Sequence, residues 1–224
     1  DNRTEGIQKK VFKKISEQEI YKHTGIQFMR INTLYQLMFL KLKRPDLLAG
    51  TDKFLMIPDL LAFFLTGEKR CEVSIASTTN LLNPYTRNWD YELIEKLGLP
   101  VDIFPEITEP GKVYGKLSDE ICNELGCRSV PVIAVAEHDT ASAVVAKPLS
   151  NKNAAFISSG TWSLFGIETD KPLIEASDSG FTNECGYGNK ICHIKNIMGL
   201  WLLQETRRQW KREGREVSFD EMEK

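Results

Sequence analysis

The sequence predicts an α/β protein, and three patterns support that prediction. Up to about residue 148 the signals are chiefly those of helices. Residues 130–136 then form a continuous apolar run rich in β-branched residues, which leads through a polar turn into a helix of small residues. After residue 150 come two hairpin-like pairs of strands and a last helix. A strand, a turn and a helix in succession are the unit of α/β architecture.

Capping residues mark the first helices. Ser16, with a glutamate three residues later, predicts a short helix that ends at Gly25. Asn32 or Thr33 begins a longer helix, which ends before the proline at position 45. The inward face predicted for this longer helix consists of Leu34, Leu37, Met38 and Leu42.

Three more helices follow. Residues 54–65 are apolar on all sides and predict a buried helix entered through Pro58. Asp90 and Ser118 each cap an amphipathic helix that ends at a glycine eight residues later. Burial of the 54–65 helix implies a thick core.

The apolar run at 130–136 predicts a central strand covered on both faces. The turn Glu137-His138-Asp139-Thr140 follows it directly, and residues 141–146 predict a helix. Residues 147–153, with two Asn, a Ser and a Pro, are the best linker candidate. We therefore expect two domains that meet near residue 150, the second of them incomplete.

The last part predicts two hairpins and a helix. Strands at 154–158 and 162–168 are joined by the turn Ser159-Gly160-Thr161, and strands at 181–185 and 190–195 are joined by residues 186–189. Residues 198–211 predict an amphipathic helix that is closed by Gly214. Its predicted inward residues are Leu202, Leu203 and Trp210.

Composition and charge exclude several classes of protein. The 224 residues are 42% hydrophobic and 27% charged, as in an ordinary globular protein of one large or two modest domains. The 29 Lys and Arg residues against 31 Asp and Glu leave no basic surplus for binding nucleic acid. The longest apolar stretch, residues 54–65, is far shorter than the roughly 20 residues that cross a bilayer. We predict neither a nucleic-acid partner nor a membrane span.

The cysteines and the chain ends indicate a cytoplasmic protein that is incomplete. Five cysteines are an odd number at low density, and the first residues hold no apolar signal core, so we expect a reducing cytoplasm. The chain does not begin with Met, and Ser218 with Glu221 opens a helix that stops after about one turn. We therefore expect a piece of a longer protein.

The first candidate for chemistry is the turn at the carboxyl end of the apolar strand, where open α/β sheets bind ligands. There Asp139 can take a proton from a substrate hydroxyl, or it can merely cap the following helix. His138 can hold a substrate oxygen, or it can be a hydrogen-bonded structural residue. The local sequence leaves both alternatives open.

A second candidate is the turn at residues 158–161, because a glycine flanked by hydroxyls brings together N–H and O–H groups that hold phosphate oxygens. An ordinary hairpin turn has the same composition. Asn196 and Gln204 are eight residues apart at the start of the last helix, so they can share a face. Solvated surface is the alternative for each.

Other chemistries have little support. The sequence contains no Walker loop, no G-x-G-x-x-G and no H-E-x-x-H. Zinc binding by Cys122, Cys127, Cys185 and Cys192 would need unusually wide spacings, so we predict no metal site. Cys185 or Cys192 with His193 or His138 is a weak thiol-nucleophile alternative.

Several segments, taken together and in order, resemble the FGGY carbohydrate kinases across nearly the whole chain. They are residues 25–37 (GIQFMRINTLYQL), 56–59 (MIPD), 65–67 (LTG), 137–142 (EHDTAS), 158–163 (SSGTWS) and 195–204 (KNIMGLWLLQ). The resemblance implies an actin-like, ribonuclease H-like ATPase fold with two domains, of which this chain is an internal fragment. Residues 1–148 would be the C-terminal part of the first, sugar-binding domain, and residues 149–224 the N-terminal part of the second, nucleotide-binding domain.

The resemblance also implies an activity, which is ATP- and Mg²⁺-dependent phosphorylation of a ketose, L-rhamnulose, at its 1-hydroxyl. Asp139 matches the catalytic base of the family. The positions that match sugar contacts are His138, Thr140 and Asn196, and those that match nucleotide contacts are Gly160, Thr161 and Gln204.

The chain departs from the family in two places. It has neither the amino-terminal phosphate hairpin nor the glycine-rich adenine pocket, so we expect no kinase activity from these residues alone. Two alternatives stay open, a non-catalytic actin-like module that binds a sugar or a protein and a hydrolase that uses Asp139 with water. The oligomeric state is not predicted.

Overall fold

The computed structural model describes residues 2–147, 151, 154–160 and 162–223. It has a first part, up to residue 147, in which helices dominate, and a second part, from residue 154, built on one antiparallel sheet. In the described residues no helix is both long enough and apolar enough to cross a bilayer.

Helices of four to twelve residues are found throughout the described chain. They are α1 Ile7–Phe12, α2 Glu17–Thr24, α3 Thr33–Lys43, α4 Pro45–Ala49, α5 Ile57–Thr66, α6 Val73–Ser77, α7 Tyr91–Leu97, α8 Asp119–Leu125, α9 Asp139–Val145, α10 Trp201–Arg212 and α11 Phe219–Met222.

The strands of the first part are short and form pairs. They are β1 Arg70–Glu72, parallel to β4 Glu106–Thr108; β2 Leu82–Asn83, antiparallel to β3 Asn88–Trp89; and β5 Val113–Lys116, antiparallel to β6 Pro131–Ile133. The second part has one larger antiparallel sheet in the order β7-β8-β10-β9, formed by β7 Phe156–Ser159, β8 Trp162–Thr169, β9 Thr182–Cys185 and β10 Ile191–Met198.

The main core joins α3, α6 and α7 of the first part, and it also includes Cys185 and Ile191 of the second. Leu34, Leu93 and Ile94 are fully buried in it. Phe54, Trp89 and Phe104 pack edge to face with ring centroids 5.0 to 5.8 Å apart, an arrangement that aromatic quadrupoles favour. Helices that are too short to be stable alone gain their stability from this packing.

Helix α9 also packs on the sheet of the second part. Its Val144 lies in a small core with Cys192 and Ile194 of β10, against Phe156 of β7 and Leu164 of β8. The helix that begins at Asp139 is therefore fixed to the sheet that follows it.

Further hydrogen bonds tie strand β9 and its neighbours to the first part. The Asn183 N–H donates to the Gly25 carbonyl at 2.8 Å, and the Tyr21 hydroxyl donates to the Phe181 carbonyl at 2.9 Å. Gly25 has a φ of +68°, and a Cβ there would lie 2.9 Å from Asn183 Cβ. Glycine is needed at this helix end for its backbone conformation and for the close approach of β9.

The predictions that rest on local caps are confirmed. Ser16 Oγ accepts from the Glu19 N–H, Asp90 caps α7 and Ser118 caps α8, and each helix ends at the predicted glycine. Both hairpins after residue 150 are present, and the capping box at Ser218 is complete. Most of the predicted linker, 147–153, lies outside the described residues.

The burial predicted for 54–65 is wrong. The helix α5 forms there, but only Asp59 and Ala62 are buried, and Ile57 and Phe64 are 71% and 62% exposed. One side of α5 packs on Tyr114 and Ala134, and the described chain provides no element that covers the other side.

The apolar run at 130–136 is also not a strand covered on both faces. Only Pro131–Ile133 form a strand, β6, at the edge of a two-stranded sheet. Ala134 and Ala136 are buried, whereas Ile133 and Val135 are 48% and 63% exposed. An apolar run indicates that the side chains of a strand prefer to be buried. Burial on both faces also needs a packed layer on each side of the sheet.

Two helical faces were also wrongly predicted. Leu42 of α3 is exposed, whereas Tyr35, which was not predicted to face inward, is fully buried. Leu202 and Leu203 of α10 are exposed rather than inward, and Trp210 is half-buried.

Candidate active site

Asp139 is the first residue of α9 and projects into solvent. Its side chain is 97% exposed, and Oδ1 accepts a hydrogen bond from the adjacent Thr140 N–H at 2.7 Å. The N-cap position belongs to His138, whose side chain makes no capping bond. Asp139 is thus not the N-cap residue of the helix, and its carboxylate is open to a ligand.

The backbone just before Asp139 is hydrogen-bonded to side chains at the start of α6. Glu72, fully buried at the N-cap of α6, accepts the Glu137 N–H at 3.0 Å and the Ile75 N–H at 3.2 Å. Ser74 Oγ accepts the His138 N–H at 3.1 Å and donates to Glu72. Two successive amides before Asp139 are therefore fixed by one buried carboxylate and its hydroxyl partner.

A second buried carboxylate lies next to Glu72. Asp59 accepts the Met56 and Glu72 N–H groups at 3.1 and 2.9 Å and the Tyr114 hydroxyl at 2.7 Å. Burial, with the neighbouring charges of Asp59 and Glu72, raises the pKa of Glu137 to about 9. Burial also raises the pKa of Glu72. Glu137 is therefore protonated at neutral pH, which limits the charge held in this interior.

His138 lies between two carboxylates. Its Nδ1 is 2.9 Å from Glu184 Oε2 of β9, and its Nε2 is 3.7 Å from Asp139 Oδ1. The Nδ1 contact has the distance of an ion pair, although the ring N–H does not point directly along it. Burial lowers the pKa of His138, but contact with Glu184 and the charges of Asp139 and Glu72 outweigh it, so that the pKa is raised.

Asn196 lies on the face of the sheet that packs against α9. It pairs with Leu164 of β8, which in turn pairs with Ser158 of β7, so the three share one face. Leu164 is part of the small core around Val144, whereas Asn196 is exposed further along the strand. Thr140, by contrast, is 8% exposed, and its hydroxyl is 3.5 Å from Asp139 Oδ1.

The turn at Gly160 packs against the start of α10. The Leu200 N–H donates to the Gly160 carbonyl at 3.0 Å, and a Cβ on Gly199 would lie 2.6 Å from that oxygen. Gln204 follows one turn later and lines a pocket of about 270 Å³. The pocket also has Arg207, Arg208 and Lys211 in its wall. Thr161 lies outside the described residues.

Glu72, Ser74 and Glu184 were not predicted from the sequence as site residues. Their contacts with the 137–138 backbone or the His138 ring join residues far apart in the chain, 65 and 64 positions in the case of Glu72 and Ser74. No local pattern carries such information, although a glutamate directly before a short helix is compatible with an N-cap.

The thiol-nucleophile alternative is wrong. Cys185 and Cys192 are buried, and burial raises the pKa of each to about 12. A buried thiol with so high a pKa is inert because the thiolate is the reactive form. All five cysteines are free, and the described residues contain no group of three side chains able to hold a metal ion.

Residues 1–146 match the N-terminal domain of the FGGY family of carbohydrate kinases, and the chain belongs to that family. Its fold is the actin-like ATPase fold of such kinases, with a TM-score of 0.82 over 92% of this chain and 42% of a ligand-bound xylulose kinase from Lactobacillus acidophilus, at 23% identity. Plasmodium falciparum glycerol kinase with ADP gives a TM-score of 0.75 at 20% identity, over 90% and 43% of the two chains.

Curated relatives are more similar in sequence. The chain is 46% identical to a rhamnulokinase of Oceanobacillus iheyensis over all of its own length and 48% of that protein. It is 43% identical to a rhamnulokinase of Bacteroides thetaiotaomicron, over 94% and 44% of the two chains. The chain thus spans about half the length of the curated relatives it matches.

Proposed function

We propose that the chain forms part of an ATP-dependent kinase that phosphorylates L-rhamnulose at its 1-hydroxyl. The identity of 43 to 46% with relatives named rhamnulokinase supports the substrate. Because the chain spans about half of those relatives, the activity belongs to a full-length protein that carries this sequence.

The observation that carries the proposal is the exposed carboxylate of Asp139, which follows a backbone segment fixed by hydrogen bonds to the buried side chains of Glu72 and Ser74. A base needs access to the substrate hydroxyl, and it needs a fixed position because phosphoryl transfer depends mainly on alignment. Asp139 would accept the proton of the 1-hydroxyl as that oxygen bonds to the γ-phosphorus, while the bond from that phosphorus to the β–γ bridging oxygen breaks and ADP leaves. The other reading, a helix cap, has lost support because Asp139 is not at the N-cap.

We assign the sugar contacts to His138, Thr140 and Asn196. His138 lies beside Asp139, and Asn196 lies on the face of the sheet that packs against α9, so both positions support this assignment. Thr140 has little exposed surface. We propose that the small exposed part of its side chain contacts the ketose, or that its hydroxyl orients the Asp139 carboxylate.

We assign the nucleotide contacts to Gly160, Thr161 and Gln204. Gly160 and Gln204 are linked through the start of α10, and a pocket with three cationic side chains adjoins Gln204. Arginine and lysine side chains are donors that suit phosphate oxygens, and the same wall also contains Glu216, which pairs with Lys211. Mg²⁺ would neutralise charge on the phosphates. In such sites the ion is commonly bound by the phosphates together with only one or two protein carboxylates.

The domain boundary and location are part of the proposal. We place the end of the sugar-binding domain at residue 148 and the start of the nucleotide-binding domain at 149. Five free cysteines favour a reducing cytoplasm.

The test is Asp139→Asn in a full-length protein that carries this sequence. We expect at least a 10³-fold loss of kcat with L-rhamnulose, while the KM for the ketose changes little, because the amide keeps shape and loses basicity. Asp119→Asn is the matched control, since Asp119 is likewise an exposed first residue of a helix, α8. Retained turnover in Asp139→Asn would exclude Asp139 as the base.

The 224-residue chain itself provides a second test. We expect no turnover and no tight MgATP binding by isothermal titration, because two nucleotide-binding surfaces of the family are not among its residues. Low-micromolar affinity for MgATP would contradict this. Release of phosphate without a sugar, at rates similar to those of the kinase reaction, would instead favour a hydrolase.

A further inference from the structure

The geometry points to Glu184 as a positioning residue for the active site: it reaches from β9 to the His138 ring and orients that ring toward Asp139 and the bound ketose. This inference rests on the proposed function, because it gives His138 a reason to be oriented. It assigns a role to a residue of the second part that contacts neither the nucleotide pocket nor the proposed base.

Three side chains form a row that ends at the exposed carboxylate. Glu184 Oε2 is 2.9 Å from His138 Nδ1, and His138 Nε2 is 3.7 Å from Asp139 Oδ1. Exposure rises along the row, from 14% for the Glu184 side chain and 22% for His138 to 97% for Asp139. The buried end is therefore fixed and the exposed end is free to meet a ligand.

The backbone of His138 and the backbone next to Glu184 are hydrogen-bonded to the same short helix. Ser74 Oγ accepts the His138 N–H at 3.1 Å, and Ser77 Oγ of the same helix, α6, accepts the Cys185 N–H at 3.0 Å. The residues on either side of the contact thus share one rigid support. Such support holds a functional side chain within the narrow tolerance that an active site requires.

Glu184 is also constrained within its own sheet. It pairs with Cys192 of β10, and its neighbour Asn183 donates to the Gly25 carbonyl. A strand hydrogen-bonded on one edge and tied to another element leaves the carboxylate little freedom to move away. The contact is therefore built into the fold rather than formed by a free surface side chain.

The charges that face His138 come from three elements. Glu184 lies on β9, Asp139 on α9 and Glu72 at the N-cap of α6, and all three favour the imidazolium form against the opposing effect of burial. An imidazolium donates from both nitrogens, whereas a neutral ring donates from only one. With Nδ1 in ion-pair contact with Glu184, Nε2–H remains available to a sugar oxygen beside Asp139.

The direct test is an NMR titration of the three histidines in the 224-residue chain, His23, His138 and His193. We expect Glu184→Gln to lower the pKa of His138 by about one unit or more, because an opposite charge at this distance shifts pKa by that amount. His23, which pairs with Asp90 and not with Glu184, provides an internal reference signal. Glu175→Gln is the charge-matched control at an exposed site of the second part.

Glu184→Asp keeps the charge and shortens the side chain, so it should give an intermediate pKa for His138. It also keeps the inference testable where Glu184→Gln does not fold. An unchanged His138 pKa in both variants would overturn the inference. So would a His138 that remains neutral at pH 6 in the wild-type chain.

The functional arm uses a full-length protein that carries this sequence. We expect Glu184→Gln to raise the KM for L-rhamnulose about tenfold near pH 7 with a smaller change in kcat, and Glu184→Asp to restore part of the loss. If the variant has a lower thermal stability but an unchanged KM and pH profile, Glu184 has only a structural role and the inference is overturned. Full activity of Asp139→Asn would instead refute the proposed function and leave the titration result standing.

Discussion

The two amphipathic helices α7 and α10 show how the two parts of the molecule differ. In α7, Leu93, Ile94 and Leu97 are fully buried in the main core. None of the residues of α10, all of which the structure describes, is buried, and Leu202 and Leu203 are about half exposed. An amphipathic sequence therefore tells which side of a helix is apolar, but the tertiary structure decides whether anything covers that side.

The same contrast separates the two halves of the candidate site. The backbone before Asp139 is held by buried groups of the first part, whereas Asn196 lies at the exposed end of a strand in the second. Substitutions of the buried groups of the first part should therefore act mainly on folding, and substitutions on the exposed surface of the second part mainly on ligand binding.

The strongest test of this contrast compares two leucines. We expect Leu93→Ala to destabilise the chain by about 3 kcal/mol, because it removes a fully buried side chain and leaves a cavity. Leu202→Ala, at 53% exposure, should change stability by less than about 0.5 kcal/mol. Urea unfolding followed by circular dichroism measures both. Equal losses for the two variants would break the contrast.

A second test asks whether close packing in the second part tolerates an added methyl group. A Cβ on Gly199 would lie 2.6 Å from the Gly160 carbonyl oxygen and from Ser163 Oγ. Gly199→Ala should therefore destabilise the chain by about 2 kcal/mol through overpacking. Gly50→Ala is the control, because its Cβ would meet only ordinary contacts at 3.5 Å and beyond. A neutral Gly199→Ala would mean that the turn at Gly160 shifts freely.

The third and smallest effect concerns the buried carboxyl groups. The pKa of Glu137 is raised to about 9 in the folded chain, whereas that of a free glutamate is 4.5. The folded state thus binds more protons between these values, so this group's contribution is full below pH 4.5 and declines as pH rises toward 9.

Replacing Glu137 with glutamine should remove that decline. Because Glu137 is only partly buried, solvent screening limits the difference to roughly 1 kcal/mol between pH 5 and pH 8. Urea midpoints of wild type and Glu137→Gln at several pH values measure it. Parallel pH profiles for the two proteins would show that Glu137 is ionised in the folded state.

The candidate site was found in part from the sequence. A polar turn after an apolar run, together with the resemblance to FGGY kinases, singled out His138 and Asp139, and the structure brings them together with α9 and its sheet. The roles of these residues stay predictions. Glu184 was not found because it meets His138 only when β9 packs on the first part.

The sequence by itself determined where helices begin and end, because a cap is satisfied within one or two turns by residues such as Ser16, Asp90 and Ser118. It also determined the hairpins and the family. Only the tertiary structure decided which apolar faces of α5, β6 and α10 are covered, because burial depends on neighbours distant in the chain. It alone joined Glu72, Ser74 and Glu184 to the turn that carries Asp139, since long-range contacts leave no periodic trace in the sequence.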